Sequence, residues 1–122
     1  MCNILISINP EHVENIFNGS KKYEYRKVKC KKEIDKIIIY STYPVKKVVG
    51  EATVEEILED SPEVIWNETK DESGINLNFY EQYFKNRNKA VAYKLKDIKK
   101  YNKPKSLLNY GIKSAPQSYV YV

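Results

Sequence analysis

The run Gly19-Ser20-Lys21-Lys22-Tyr23-Glu24-Tyr25-Arg26 concentrates the groups best suited to act on a ligand. Lys21 and Lys22 offer ammonium groups to phosphate, and Arg26 offers a planar fork that pairs with an oxyanion or stacks on a base. Glu24 can orient an arginine or accept a hydrogen bond from a base amino group. If residues 22 to 26 are extended, Lys22, Glu24 and Arg26 share one face while Tyr23 and Tyr25 take the other. Such a face is either a solvated salt-bridge ladder or the polar floor of a pocket for a polar, partly anionic ligand. Charge runs are mostly solvated, so the pattern alone leans to the ladder. Ser41, Thr42 and Tyr43, just before Pro44, can ring a cleft with hydroxyls or simply make a turn.

Other chemistries find little support. His12 is the only histidine, and its place in a first helical turn predicts exposure at the surface. Cys2 and Cys30 form no CxxC or Cys/His pattern, which argues against a zinc site or a disulfide framework. No cofactor is expected. The 122 residues fit one domain over 1–122 with a core of its own. With 21 Lys plus Arg against 16 Asp plus Glu, the net charge of +5 modestly favours polyanionic partners. That bias is discounted, because Lys, Ile, Asn and Tyr are abundant together, as the gene's nucleotide composition can also dictate. No apolar run reaches the roughly 18 to 20 residues of a membrane span, and the N-terminus lacks a signal peptide's blocks. A soluble, cytoplasmic protein, monomeric or weakly dimeric and without a membrane partner, is the expectation.

The elements that must position these groups follow from periodicity. Ile4, Ile6 and Ile8 alternate with Asn3, Leu5 and Ser7 and predict a first strand with one strongly apolar face. Asn9 and Pro10 cap and open a helix with Val13, Ile16 and Phe17 on its buried side, and Gly19 ends it. A charged strand over 22–29 and a buried strand through Ile37 to Tyr40 come next. The β-rich run from Val48 to Ile57 contains Gly50, which reads as a corner, a bulge or a close approach. A short helix around Glu63 to Thr69, a docked helix through Leu77 to Phe84, a strand from Ala90 to Ile98, a turn starting at Pro104 and a closing strand within Ser118 to Val122 complete the order. About six short strands with few helices predict an α+β domain on a small closed or half-open β-barrel.

These residues carry a resemblance. Ile6-Ser7-Ile8-Asn9-Pro10 followed by Ile16 to Arg26, with G-x-K-x-x-E-x-R at its heart, resembles the opening of an ASCH domain of the PUA-like superfamily. Tyr40-Ser41-Thr42-Tyr43-Pro44, the Val48 to Glu51 corner and the tail Gly111 to Tyr119 agree in order and spacing. The resemblance implies a small PUA-like β-barrel with peripheral short helices. It also implies a cleft beside the G-x-K-x-x-E-x-R strand that binds RNA or a nucleotide, in some relatives in the service of transcription or translation. Lys21, Lys22, Glu24, Arg26, Ser41, Thr42, Tyr43 and Gln117 are the ligand-binding candidates on this reading. Gln117 stands equally well in a plain turn.

Some ASCH proteins resemble this chain but carry G-x-K-x-x-T-x-R and hydrolyse amides of acylated cytidine-type nucleosides; nuclease activity has been proposed for others. Here Glu24 occupies the threonine position, and a carboxylate does not replace the hydroxyl that must attack and carry the acyl group. If there is catalysis, Lys21 and Glu24 are the candidates for acid and base, with Glu51, Glu55 or Glu56 as an acidic partner. A protein-interaction module with an incidental basic surface is the third reading.

Overall fold

A computed structural model describes residues 2–122. The chain forms six strands: β1 (Cys2–Ile8), β2 (Tyr23–Arg26), β3 (Ile34–Ser41), β4 (Lys47–Asp60), β5 (Ala90–Lys105) and β6 (Tyr119–Tyr121). Three short helices lie between them: α1 (Pro10–Phe17), α2 (Pro62–Thr69) and α3 (Leu77–Tyr83). The sheet runs β2-β5-β4-β3-β1-β6, with β1 and β3 parallel and every other pair antiparallel. It is a curled half-barrel, and one bond shows the curl directly: Arg26 Nη2, from edge strand β2, donates to the Ser7 carbonyl on β1 at 2.8 Å.

Three apolar layers hold the curl. The inner one joins Ile4, Ile6, Ile37, Ile39, Val91 and Tyr93 to Val13 and Ile16 of α1. A second packs Tyr23 and Tyr25 of β2 against Ile65, Tyr80 and Phe84 of the two later helices. A third covers the back of the sheet, where Leu5, Ile38, Tyr40 and Val48 meet Tyr101, Leu107 and Tyr110. β1 is therefore buried on both faces rather than on one, which accounts for the fully buried Leu5.

Two boundaries differ from the periodicity reading. The charged strand is confined to Tyr23–Arg26, because the Lys22 N–H bonds the Glu72 carbonyl and the chain turns away after Arg26. β5 continues through Pro104 to Lys105. Only Val91 to Lys94 of β5 pairs with β2, so the far half has one neighbour and tolerates a residue without an N–H. At Gly50 the corner and the close approach coincide. The β4 to β5 register shifts between Val48 and Gly50, and a side chain there would strike the Phe17 ring at 2.7 Å.

Candidate functional site

The first turn of α1 and strand β2 face each other across the open seam of the half-barrel. Asn9 accepts the Glu11 N–H at 3.0 Å through its side chain, and Pro10 starts the helix. Gly19, at φ +88°, then reverses the chain so that Lys21 enters the interior. A loop after α2 closes over Lys21. There Gly74, at φ +69°, lies so close that an added Cβ would reach the Lys21 Cα at 2.8 Å. The result is a cavity of about 120 Å³ bordered by Ser7, Asn9, His12, Lys21, Glu24, Tyr25, Arg26, Phe79 and Tyr83.

Its charges are buried and ordered. Lys21 is 2% exposed; its Nζ donates to the Ser73 carbonyl at 3.1 Å and lies 4.7 Å from the centre of the Tyr25 ring. Burial lowers the Lys21 pKa below the usual lysine value, Glu24 opposes that shift, and Arg26 adds to it. Arg26 holds Glu24 Oε2 through Nη2 at 2.8 Å and Nε at 3.0 Å. Two of its three guanidinium nitrogens are thereby committed. Tyr25 meets the Thr69 hydroxyl at 2.7 Å, and burial pushes its pKa up to about 12.

His12 was legible only as a helix-turn residue expected at the surface. It is instead half-buried, its ring edge-on to Phe79 at 5.1 Å between centroids, with Nδ1 shielded from solvent and without a hydrogen-bond partner. Burial first, then the charge of Lys21, lower its pKa. The clue that could have found it is the Asn9-Pro10 cap, which fixes where the first turn points.

The candidates divide by location. Lys21, Glu24 and Arg26 converge on the cavity. Lys22 does not share their face; it pairs with Glu72 at 3.0 Å on the surface. Ser41 is buried at the end of β3, and the Thr42 N–H bonds the Ile8 carbonyl at 3.0 Å, so this turn sits behind the rim without lining the cavity. Tyr43 is 77% exposed beside Lys46. Gln117 is exposed next to Pro116, whose carbonyl accepts the Ser7 hydroxyl at 2.7 Å. Glu51 is held elsewhere on the sheet by Lys36 and by the Tyr101 hydroxyl, each at 2.8 Å, and does not reach the cavity. Glu55 pairs with Lys94 at 3.2 Å.

A larger open hollow of about 690 Å³ lies between α2 and α3, around Trp66, Tyr80 and Phe84. It contains none of the G-x-K-x-x-E-x-R residues, and its charged members, Glu63, Glu81 and Arg87, do not form ion pairs with one another. The smaller cavity, with buried charges fixed around it, is the better candidate.

The model of a family described as "Domain of unknown function (DUF365)" matches residues 1–119. An ASCH domain-containing ribonuclease from Zymomonas mobilis subsp. mobilis is 33% identical over 94 residues, covering 76% of this chain and 64% of that protein. ATP synthase subunit alpha of Ureaplasma parvum serovar 3 is 32% identical over 120 residues, which are 98% of this chain but 15% of that protein. This chain thus spans less than two thirds of either relative. Among solved structures, ASCH from Zymomonas mobilis superposes with a TM-score of 0.89 at 29% identity, over 98% of this chain and 87% of that one. The six-stranded curled sheet with short helices is the ASCH fold.

Proposed function

The chain belongs to the family described as Domain of unknown function (DUF365), and from that premise we propose that it is an RNA-binding ASCH domain of the PUA-like kind. The observation that carries this reading is a charge imbalance: a buried cation, Lys21, and a part-buried one, Arg26, converge on a cavity that supplies one carboxylate, Glu24. A desolvated excess of positive charge calls for an anionic group. The cavity of about 120 Å³ is small beside the roughly 300 to 1,000 Å³ of sites that enclose whole small ligands, so it takes one phosphate or ribose of a longer chain. The similarity to a protein named as a ribonuclease supports RNA as that chain. If the RNA is held rather than consumed, the domain regulates transcription or translation.

A second reading is cleavage of the bound RNA. The name of the Zymomonas relative favours it, as does the lowered pKa of Lys21 beside Glu24, which suits proton transfer. The acyl-transfer reading loses ground, because Glu24 stands at the nucleophile position and is locked to Arg26 at 2.8 Å.

Titration of labelled single-stranded and duplex RNA at about 50 and 200 mM salt tests the binding. One phosphate contact predicts an affinity loss of about threefold across that range. Lys21→Met and Arg26→Lys are expected to weaken binding at both salt concentrations, and absence of binding to either RNA would refute the proposal. Denaturing gels of the same mixtures separate the two readings: intact RNA supports retention, and fragments lost in Lys21→Met support cleavage.

A further inference from the structure

His12 sits among charged neighbours, yet its Nδ1 has no partner. A buried polar atom without a hydrogen bond is costly, so such an atom is conspicuous wherever it occurs. The ring borders the cavity and is held by edge contact with Phe79 rather than through Nδ1. A half-turn about χ2 exchanges Nδ1 with Cδ2 inside nearly the same ring outline. The surrounding charges are Lys21, Glu24 and Arg26 across the cavity and Glu11 on the same helix. Burial and Lys21 lower the His12 pKa, so at neutral pH the imidazole is uncharged and has one nitrogen free to accept a hydrogen bond.

Lys21 and Arg26 already supply donors to an oxyanion, and a phosphate has no proton to give an imidazole acceptor. The group on a nucleic acid that lies beside a phosphate and carries a donor is the ribose 2′-hydroxyl, which is also what distinguishes RNA from DNA. We propose that His12 is the specificity residue of this cavity, accepting a hydrogen bond from the ribose 2′-hydroxyl while Lys21 and Arg26 hold the adjacent phosphate. This assignment rests on the RNA-binding reading and adds to it a basis for rejecting DNA.

The test compares RNA and DNA oligonucleotides of one sequence against four proteins: wild type, His12→Leu, His12→Asn and Lys21→Met. Wild type is expected to prefer RNA by about tenfold or more, the value of one hydrogen bond of about 1.4 kcal/mol. His12→Leu should bring RNA affinity down to that for DNA while leaving DNA affinity in place, and unchanged DNA affinity also shows that this variant is folded. His12→Asn, which places a polar atom near the Nδ1 position, should restore part of the preference. Lys21→Met should weaken RNA and DNA alike. A His12→Leu protein that keeps the wild-type RNA to DNA ratio overturns the assignment but not RNA binding, whereas a wild type that binds neither polymer overturns both. Equal wild-type binding of RNA and DNA overturns the assignment alone.

Discussion

Lys21 is expensive for this protein to keep. Its ammonium is 2% exposed, one protein carbonyl accepts from it, and a second cation, Arg26, lines the same cavity. Because its folded pKa is lowered from 10.5, chiefly by burial, the unfolded chain binds this proton more readily between the lowered value and 10.5. Stability therefore rises with pH through that window, and the full penalty is present below it. Replacement by a similar apolar side chain removes the penalty at the cost of one hydrogen bond. Lys21→Met is expected to fold with stability within about 1 kcal/mol of wild type or above it. Its urea denaturation midpoint should also lose the rise that wild type shows at alkaline pH, while RNA binding falls. A midpoint drop equivalent to more than about 2 kcal/mol would show that Lys21 is structural. This residue was readable from its motif; His12 was not, since a lone histidine at a helix start gives no sign that its neighbours will come from elements far along the chain.

At the scale of elements, what could be read in advance was whatever periodicity governs. Alternating isoleucines mark β1, the consecutive Ile37 to Ile39 mark β3, and Asn9-Pro10 and Ser61-Pro62 mark the starts of α1 and α2. Pairing decided the rest. β5 runs past Pro104 because β4 is there to receive Lys105 opposite Val48, and Glu51 faces Lys36 and Tyr101 because of a register that local pattern does not encode. The loop over Lys21 was equally hidden, as an irregular acidic stretch whose role depends on one glycine. Gly74 has φ +69° and no room for a Cβ against the backbone of Lys21. Gly74→Ala is thus expected to cost about 1 to 3 kcal/mol and to displace the loop. Thermal unfolding would register the first effect, and weakened RNA binding the second.

For the whole molecule, the Arg26 side chain closes the curl by joining β2 to β1 while neutralising Glu24. Breaking one half of a buried pair strands the other charge, so Arg26→Met is expected to lose about 3 to 5 kcal/mol. The double variant with Glu24→Gln should recover part of that loss, and denaturant curves of wild type, both single variants and the double variant complete the cycle. Additive losses would mean that the pair is not what closes the seam. The opposite side of the sheet ends on β6, which lies antiparallel to β1 with Tyr121 opposite Ile4, while the Val122 N–H bonds the Asn3 carbonyl at 3.0 Å. The two ends of the described chain leave the fold side by side, as the two legs of a plug enter one socket. A host protein that accommodates such a unit need open only a single surface loop, and neither the host nor the guest must be redrawn to make the splice.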